Sequence, residues 1–186
     1  MVGPYKTNPA IGRPELRLVL GYMATAGLVL LLMMLFGLLM RMAQGNLLSL
    51  DVDVFYELLT LHGTGMVGAA AMVGGGIMWY FLREHEVPVS LAAGWINLGL
   101  FLAGVVLVIA SVAVWNYAGA WTFLYPLPAN PMGVWGNTGA AAFLIGLLLI
   151  GVGFLILHFD VARAIIRRYG GLSRGLGWPQ LFGKSQ

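Results

Sequence analysis

The chain has 186 residues, of which 60% are hydrophobic and only 9% charged, with a net charge of +3. Soluble domains are about half apolar and about a quarter charged, so this balance suits lipid rather than water. There is no cysteine, which excludes disulfides, c-type haem attachment, iron–sulfur clusters and thiolate metal sites, and so small a net charge is a topology signal rather than a nucleic-acid footprint.

Four apolar runs follow in chain order, at about residues 16–41, 54–82, 89–117 and 134–166. Each exceeds the roughly 20 residues that carry a helix across a hydrocarbon core about 30 Å thick. Lipid offers the backbone no hydrogen-bond partners, so helices are expected throughout. The first run is too long for a signal-peptide core and no small-residue cleavage site follows it. Breakers fill the spacers: Gly45-Asn46, Pro88, and Pro126, Pro128 and Pro131, with Pro128-Ala129-Asn130-Pro131 reading as a turn. The expected fold is all-α: one domain of four transmembrane helices, with a flexible or partner-contacting tail over 170–186.

Four crossings place Lys6, Arg13, Arg17, Arg83, Arg163, Arg167, Arg168, Arg174 and Lys184 on one side, and Arg41 alone on the other. The positive-inside rule then puts both termini in the cytoplasm and makes the chain a multi-pass protein, expected in the plasma membrane. The outer side carries Asp51, Asp53 and Glu57 and a charge-free loop from Ala118 to Pro131. Glu57 and Asp160 are the acidic residues nearest helix interiors, and both lie close to ends, so no proton channel is evident.

Chemistry can reside at three histidines. His85, in Arg83-Glu84-His85-Glu86, reads as a solvated loop residue, and His158, beside Asp160, as a side chain snorkelling to the interface. His62 lies about eight residues into the second run, roughly 12 Å below the outer surface. An imidazole there needs a partner: either a neighbouring helix or a metal or haem iron. His62, Gly65, Ala69 and Gly76 share a face on helical spacing, and such small residues let a helix approach another helix or a flat macrocycle. His158 is roughly 35 Å from the outer end of its own helix, too deep to share an iron with His62, and Met66 is one turn along the same helix. A second axial ligand is therefore expected from another chain, with Met132 the alternative. Trp115, Tyr117, Trp121, Tyr125 and Trp135 gather around the third loop, either as an interfacial aromatic belt or as a lid whose N–H and O–H groups donate to a cofactor carboxylate. Arg41 can pair with such a carboxylate, or with Asp51 or Asp53.

The stretch from Phe55 to Gly63, Phe55-Tyr56-Glu57-Leu58-Leu59-Thr60-Leu61-His62-Gly63, resembles the second transmembrane helix of subunit I of haem–copper oxidases, most closely the B-type branch. Ala120-Trp121-Thr122-Phe123-Leu124-Tyr125-Pro126-Leu127 is similar to that family's loop between helices 3 and 4, although its tyrosine is shifted by one position. Phe154-Leu155-Ile156-Leu157-His158-Phe159-Asp160 resembles the end of the fourth helix. The resemblance covers about residues 16–170. It implies that His62 is an axial ligand of a low-spin haem of b or a type. Trp121, Tyr125 and Arg41 then lie by the haem propionates, with Tyr56 and Gly65 alongside.

It further implies an incomplete subunit I-like bundle, the N-terminal part of a split subunit, since the ligands of the binuclear haem–copper centre have no counterpart here. The expected partners are a separate chain with the rest of subunit I, a copper A-type electron-entry subunit and a cytochrome c-like or quinol donor. The expected enzyme is an oxygen-reducing, proton-translocating terminal oxidase. A nitric oxide reductase-like subunit of the same superfamily, a stand-alone haem-binding or quinol-linked anchor, and a non-catalytic assembly subunit are the alternatives.

Overall fold

The computed structural model describes residues 11–119 and 133–183. Four long helices dominate: α1 (Arg13–Gln44), α2 (Val52–Glu84), α3 (Leu91–Ala113) and α4 (Asn137–Tyr169). All four are long and apolar enough to cross a membrane, and no strand occurs among the described residues. Residues 170–183, within the tail expected to be flexible or partner-contacting, hold two single-turn helices, α5 (Leu172–Gly175) and α6 (Trp178–Leu181).

The ends of the helices follow their caps. At α1, Pro14 stands in the first turn, where its missing N–H costs nothing, and the Glu15 carboxylate accepts from the Gly12 N–H at 3.1 Å. Asp51 caps α2, its Oδ1 accepting from the Asp53 N–H at 3.0 Å. The third run was expected to begin at 89. It begins at Leu91 because Ser90 is the cap, accepting from Ala93 N–H, while Asp160 of α4 accepts from the Ser90 N–H at 2.7 Å. It ends at Ala113 rather than 117, because the chain turns through Asn116 at φ 53°. Helix α4 continues three residues beyond the expected 166 and stops at Gly170, whose left-handed φ of 71° terminates it.

Helices α1 and α2 form one antiparallel hairpin and α3 and α4 another, and the closest packing lies within these pairs. All four share a core toward the end that carries most of the arginines. Leu18, Tyr22 and Ala26 of α1 meet Met72 and Trp79 of α2, Leu98 and Phe101 of α3, and Leu157 and Val161 of α4. Ion pairs close this end: Arg83 with Glu15 at 3.1 Å and Arg168 with Glu86 at 3.6 Å. Within the core the Tyr22 hydroxyl donates to Asn97 Oδ1 at 2.6 Å. A smaller cluster at the other end gathers Val108, Tyr117 and Phe143, with Leu61 and Trp135 against it. Outward faces stay apolar: Leu20, Leu28, Leu148 and Phe159 are all well exposed, which water would penalise and lipid or further helices would not.

The α3–α4 contact depends on glycine. A Cβ on Gly104 would stand 2.6 Å from the Ile150 side chain and against the Gly146 backbone carbonyl, and a Cβ on Gly146 would stand 2.8 Å from the Gly104 carbonyl. Backbone cannot rotate away, so the helices must separate. Gly104→Val is expected to destabilise the bundle by about 1–3 kcal/mol, read as a lower unfolding midpoint in detergent. Gly99→Ala, which meets nothing within 4 Å, should leave the midpoint in place. Equal midpoints for the two variants would contradict this contact.

Candidate functional site

His62 stands ten positions after Val52, the first residue of α2, which places it roughly 15 Å along the helix from its outer start. Its Nδ1 lies 2.7 Å from the backbone carbonyl oxygen of Met33 on α1. A carbonyl can only accept, so Nδ1 carries the proton and the Nε2 lone pair is left over. No hydrogen bond to Nε2 occurs among the described residues. The bond to a neighbouring helix, one of the two readings of His62 from sequence, is thus present. It uses one nitrogen and presents the other in the form that ligates metals.

Helix α1 makes room for this ring at one position. In a helix the Met33 carbonyl also receives the N–H of residue 37, and residue 37 is glycine. A Cβ there would stand 2.8 Å from His62 Cε1 and 3.3 Å from Nδ1, so any other residue displaces the imidazole from the carbonyl it bonds.

A pocket of about 300 Å³ opens beside the ring, lined by Gly37, Met40, Arg41, Gln44, Phe55, Leu59 and His62. It brings together two of the residues singled out from sequence, His62 and Arg41. Among the described residues the polar partner of Arg41 is Gln44, whose Oε1 accepts from Nη1 at 2.9 Å. Of the pairings open to Arg41, the one with Asp51 or Asp53 is not formed among the described residues. A wider recess of about 420 Å³ adjoins, sharing Gln44 and Phe55 and lined by the α1–α2 loop.

Tyr56 and Gly65 fall elsewhere. Tyr56 is 48% exposed and does not line the pocket. It precedes His62 by six residues, about 240° around the helix, whereas Phe55, seven residues before, returns to nearly the same face. Gly65 faces α1, where the Met33 side chain occupies the space a Cβ would need, and it lines a narrow apolar crevice with Gly68 and Phe101. Its role here is the close approach of α2 to α1. Trp121 and Tyr125 lie outside the described residues. Of the other aromatic residues near that loop, Tyr117 is buried, with its ring 5.4 Å from Trp135 and 4.6 Å from Phe143.

The remaining histidines behave differently from His62. His85 Nδ1 bonds the Phe81 carbonyl at 2.8 Å and His158 Nδ1 bonds the Phe154 carbonyl at 2.7 Å, each within its own helix and each exposed. Both stand at the basic end, so neither can meet an iron at the level of His62. No group of three or more histidine or acidic side chains suited to a metal ion occurs among the described residues.

The residues missed from sequence are Gly37, Met33 and Phe55. A signal for the first two was available. In an antiparallel hairpin, residues equidistant from the turn lie side by side, and Met33 and His62 are nearly equidistant from the Asn46–Ser49 turn.

The residues present fit a haem on two counts: an imidazole with a fixed proton and a free Nε2, and beside it a pocket whose lining includes the Arg41 cation. Comparisons with curated proteins and with solved structures give no match. The family model described as "Cytochrome C and Quinol oxidase polypeptide I" matches residues 17–179, from the second turn of α1 into α6. With four membrane-spanning helices under a match of that length, the chain belongs to the cytochrome c and quinol oxidase polypeptide I family.

Proposed function

We propose that this chain is the part of a terminal-oxidase subunit I that holds the low-spin haem, of b or a type, with His62 Nε2 as one axial ligand. The observation that carries this reading is the bond from Nδ1 to the Met33 carbonyl, which fixes the tautomer and the ring plane of the only histidine in the outer half of the described helices. Gly37 keeps the ring in place, and Arg41 sets a positive charge at the outer rim of the same pocket. One-electron redox chemistry is what a haem supplies when bound. The residues of this chain orient its ligand, exclude lipid beside it and supply a cation suited to its propionates.

Members of this family work within membrane oxidase complexes. The second axial ligand, the binuclear haem–copper centre and the electron-entry subunit are assigned to other chains, among them a separate chain with the rest of subunit I. The other histidines, at the far end of the described helices, support this for the ligand. The reaction proposed for the assembly is oxygen reduction with electrons from cytochrome c or quinol, coupled to proton translocation across the plasma membrane.

The test is to purify the tagged chain from its native membrane with whatever copurifies, and to record the dithionite-reduced minus oxidised spectrum. A low-spin haem band and a copurifying polypeptide with further histidine-bearing helices are expected. Absence of haem from the intact assembly rejects the proposal. The pyridine haemochrome of the same sample identifies the haem.

Arg41 gives a second readout. Two unit charges on the order of 10 Å apart at an effective dielectric of about 20 interact by roughly 1–2 kcal/mol. Arg41→Gln removes a positive charge that disfavours the ferric state, so the midpoint potential of the low-spin haem is expected to fall by tens of millivolts with haem content unchanged. A potential equal to that of the parent places Arg41 outside the haem field.

A further inference from the structure

Beyond α4 the chain turns three times through left-handed glycines, Gly170, Gly177 and Gly183, at φ of 71°, 73° and 68°. After the first of these turns α5 packs on the end of α4, and α6 packs on α5. Gly175 packs on the Ile165 side chain, where a Cβ could not fit, and stands close to the Tyr169 ring. The segment therefore has a defined place beside the last turns of a membrane-spanning helix.

Two properties of its surface point the same way. Ile166, Tyr169, Leu176, Trp178, Leu181 and Phe182 are all exposed, the last two by about three quarters of their surface. Residues 161–183 contain four arginines and no acidic residue. Arg168 is engaged with Glu86, whereas Arg163, Arg167 and Arg174 are exposed and have no carboxylate partner among the described residues. Apolar and aromatic side chains next to unpaired cations, continuous with a helix that leaves the hydrocarbon there, match the chemistry of a lipid headgroup boundary.

We propose that the 170–183 segment is an interfacial element that binds anionic phospholipid at the basic end of the bundle. Trp178, Leu181 and Phe182 enter the acyl boundary, and Arg167 and Arg174 bind headgroup phosphates. Trp178 suits this depth, because its ring is apolar while its indole N–H can donate to a phosphate or carbonyl oxygen. The segment would hold the end of α4 at a fixed level in the membrane, independently of the haem reading above.

The chain lacks cysteine, so one introduced thiol reports cleanly. Phe182→Cys, and Leu181→Cys as an independent second site, are labelled with a bimane in the full chain with its copurifying subunits. Nanodiscs of phosphatidylcholine alone, or with phosphatidylglycerol, carry brominated acyl chains as quencher. Quenching at both sites is expected to be at least twice that at Leu47→Cys, which is exposed in the outer loop, and to rise with phosphatidylglycerol. Each basic residue near an anionic surface contributes about 1 kcal/mol, or roughly fivefold in binding. Arg167→Gln and Arg174→Gln should each raise the phosphatidylglycerol fraction needed for half-maximal quenching about fivefold. Labels that stay unquenched overturn the proposal, whether they face water or a protein partner. So does quenching indifferent to phosphatidylglycerol and to both arginine substitutions.

Discussion

Replacing His62 by alanine is expected to remove the low-spin haem from the assembly, with loss of its reduced band and of electron transfer from the donor. Five-coordinate or displaced haem cannot give a low-spin spectrum, and no other histidine of the described residues lies at that level to substitute. The bundle itself should persist. Its core lies toward the other end, around Tyr22, Trp79, Phe101 and Leu157, and His62 contributes one bond to a backbone carbonyl. Membrane hydrogen bonds of this kind are worth about 0.6 kcal/mol on average, too little to unfold four helices. The variant should therefore be recovered from the membrane in normal amount with its low-spin haem missing. A variant that keeps the parent spectrum shows that another residue ligates the iron.

The second large effect is expected at a residue that touches no cofactor in this reading. Gly37→Ala adds one methyl group to α1, 2.8 Å from His62 Cε1. The ring must rotate or withdraw, and in either case Nδ1 loses the Met33 carbonyl that fixes its proton. Removing the hydrogen-bond partner of a metal-bound histidine commonly weakens metal binding or activity by about 10–100-fold. Haem titration into the depleted assembly should show a loss of that order. Gly27→Ala, also on α1 and meeting nothing within 4 Å, should titrate like the parent. Full haem affinity in Gly37→Ala would mean that α1 does not orient the ligand.

These two expectations differ in how far the sequence already contained them. His62 stood out because an imidazole inside an apolar run is costly wherever it points, and cost of that kind is visible in one dimension. The four spans were visible for the same reason, since hydropathy over 20 or more residues depends little on tertiary contacts. Gly37 was not visible. It is one of many glycines in the chain, and its importance arises only from the register of α1 against α2. The ends of α3 lie two residues inside the apolar run at one end and four at the other, because they are set by hydrogen bonds and a turn, not by apolarity. Ser90 and Asp160 fix the start, the latter from 70 residues away, and Asn116 turns the chain near the end. Tyr56 entered the site through its place in a motif. Helical phase puts Phe55 on the face of His62 instead.

Arg41 lies between these cases. Its isolation on the acidic side was legible from the count of basic residues, but its position in the pocket of His62 depended on the hairpin. Asp51 caps α2 through Oδ1, while the Arg41 guanidinium donates to Gln44 on its own helix.

In the function proposed above, His62 Nε2 would bind a haem iron while Nδ1 donates to the Met33 carbonyl. An experimental density map of the assembled complex, purified with its haem, tests it most directly. The proposed reading requires an iron within coordination distance of Nε2, with Nδ1 still on the Met33 carbonyl. A ring facing lipid or protein, with the haem held elsewhere, would contradict it.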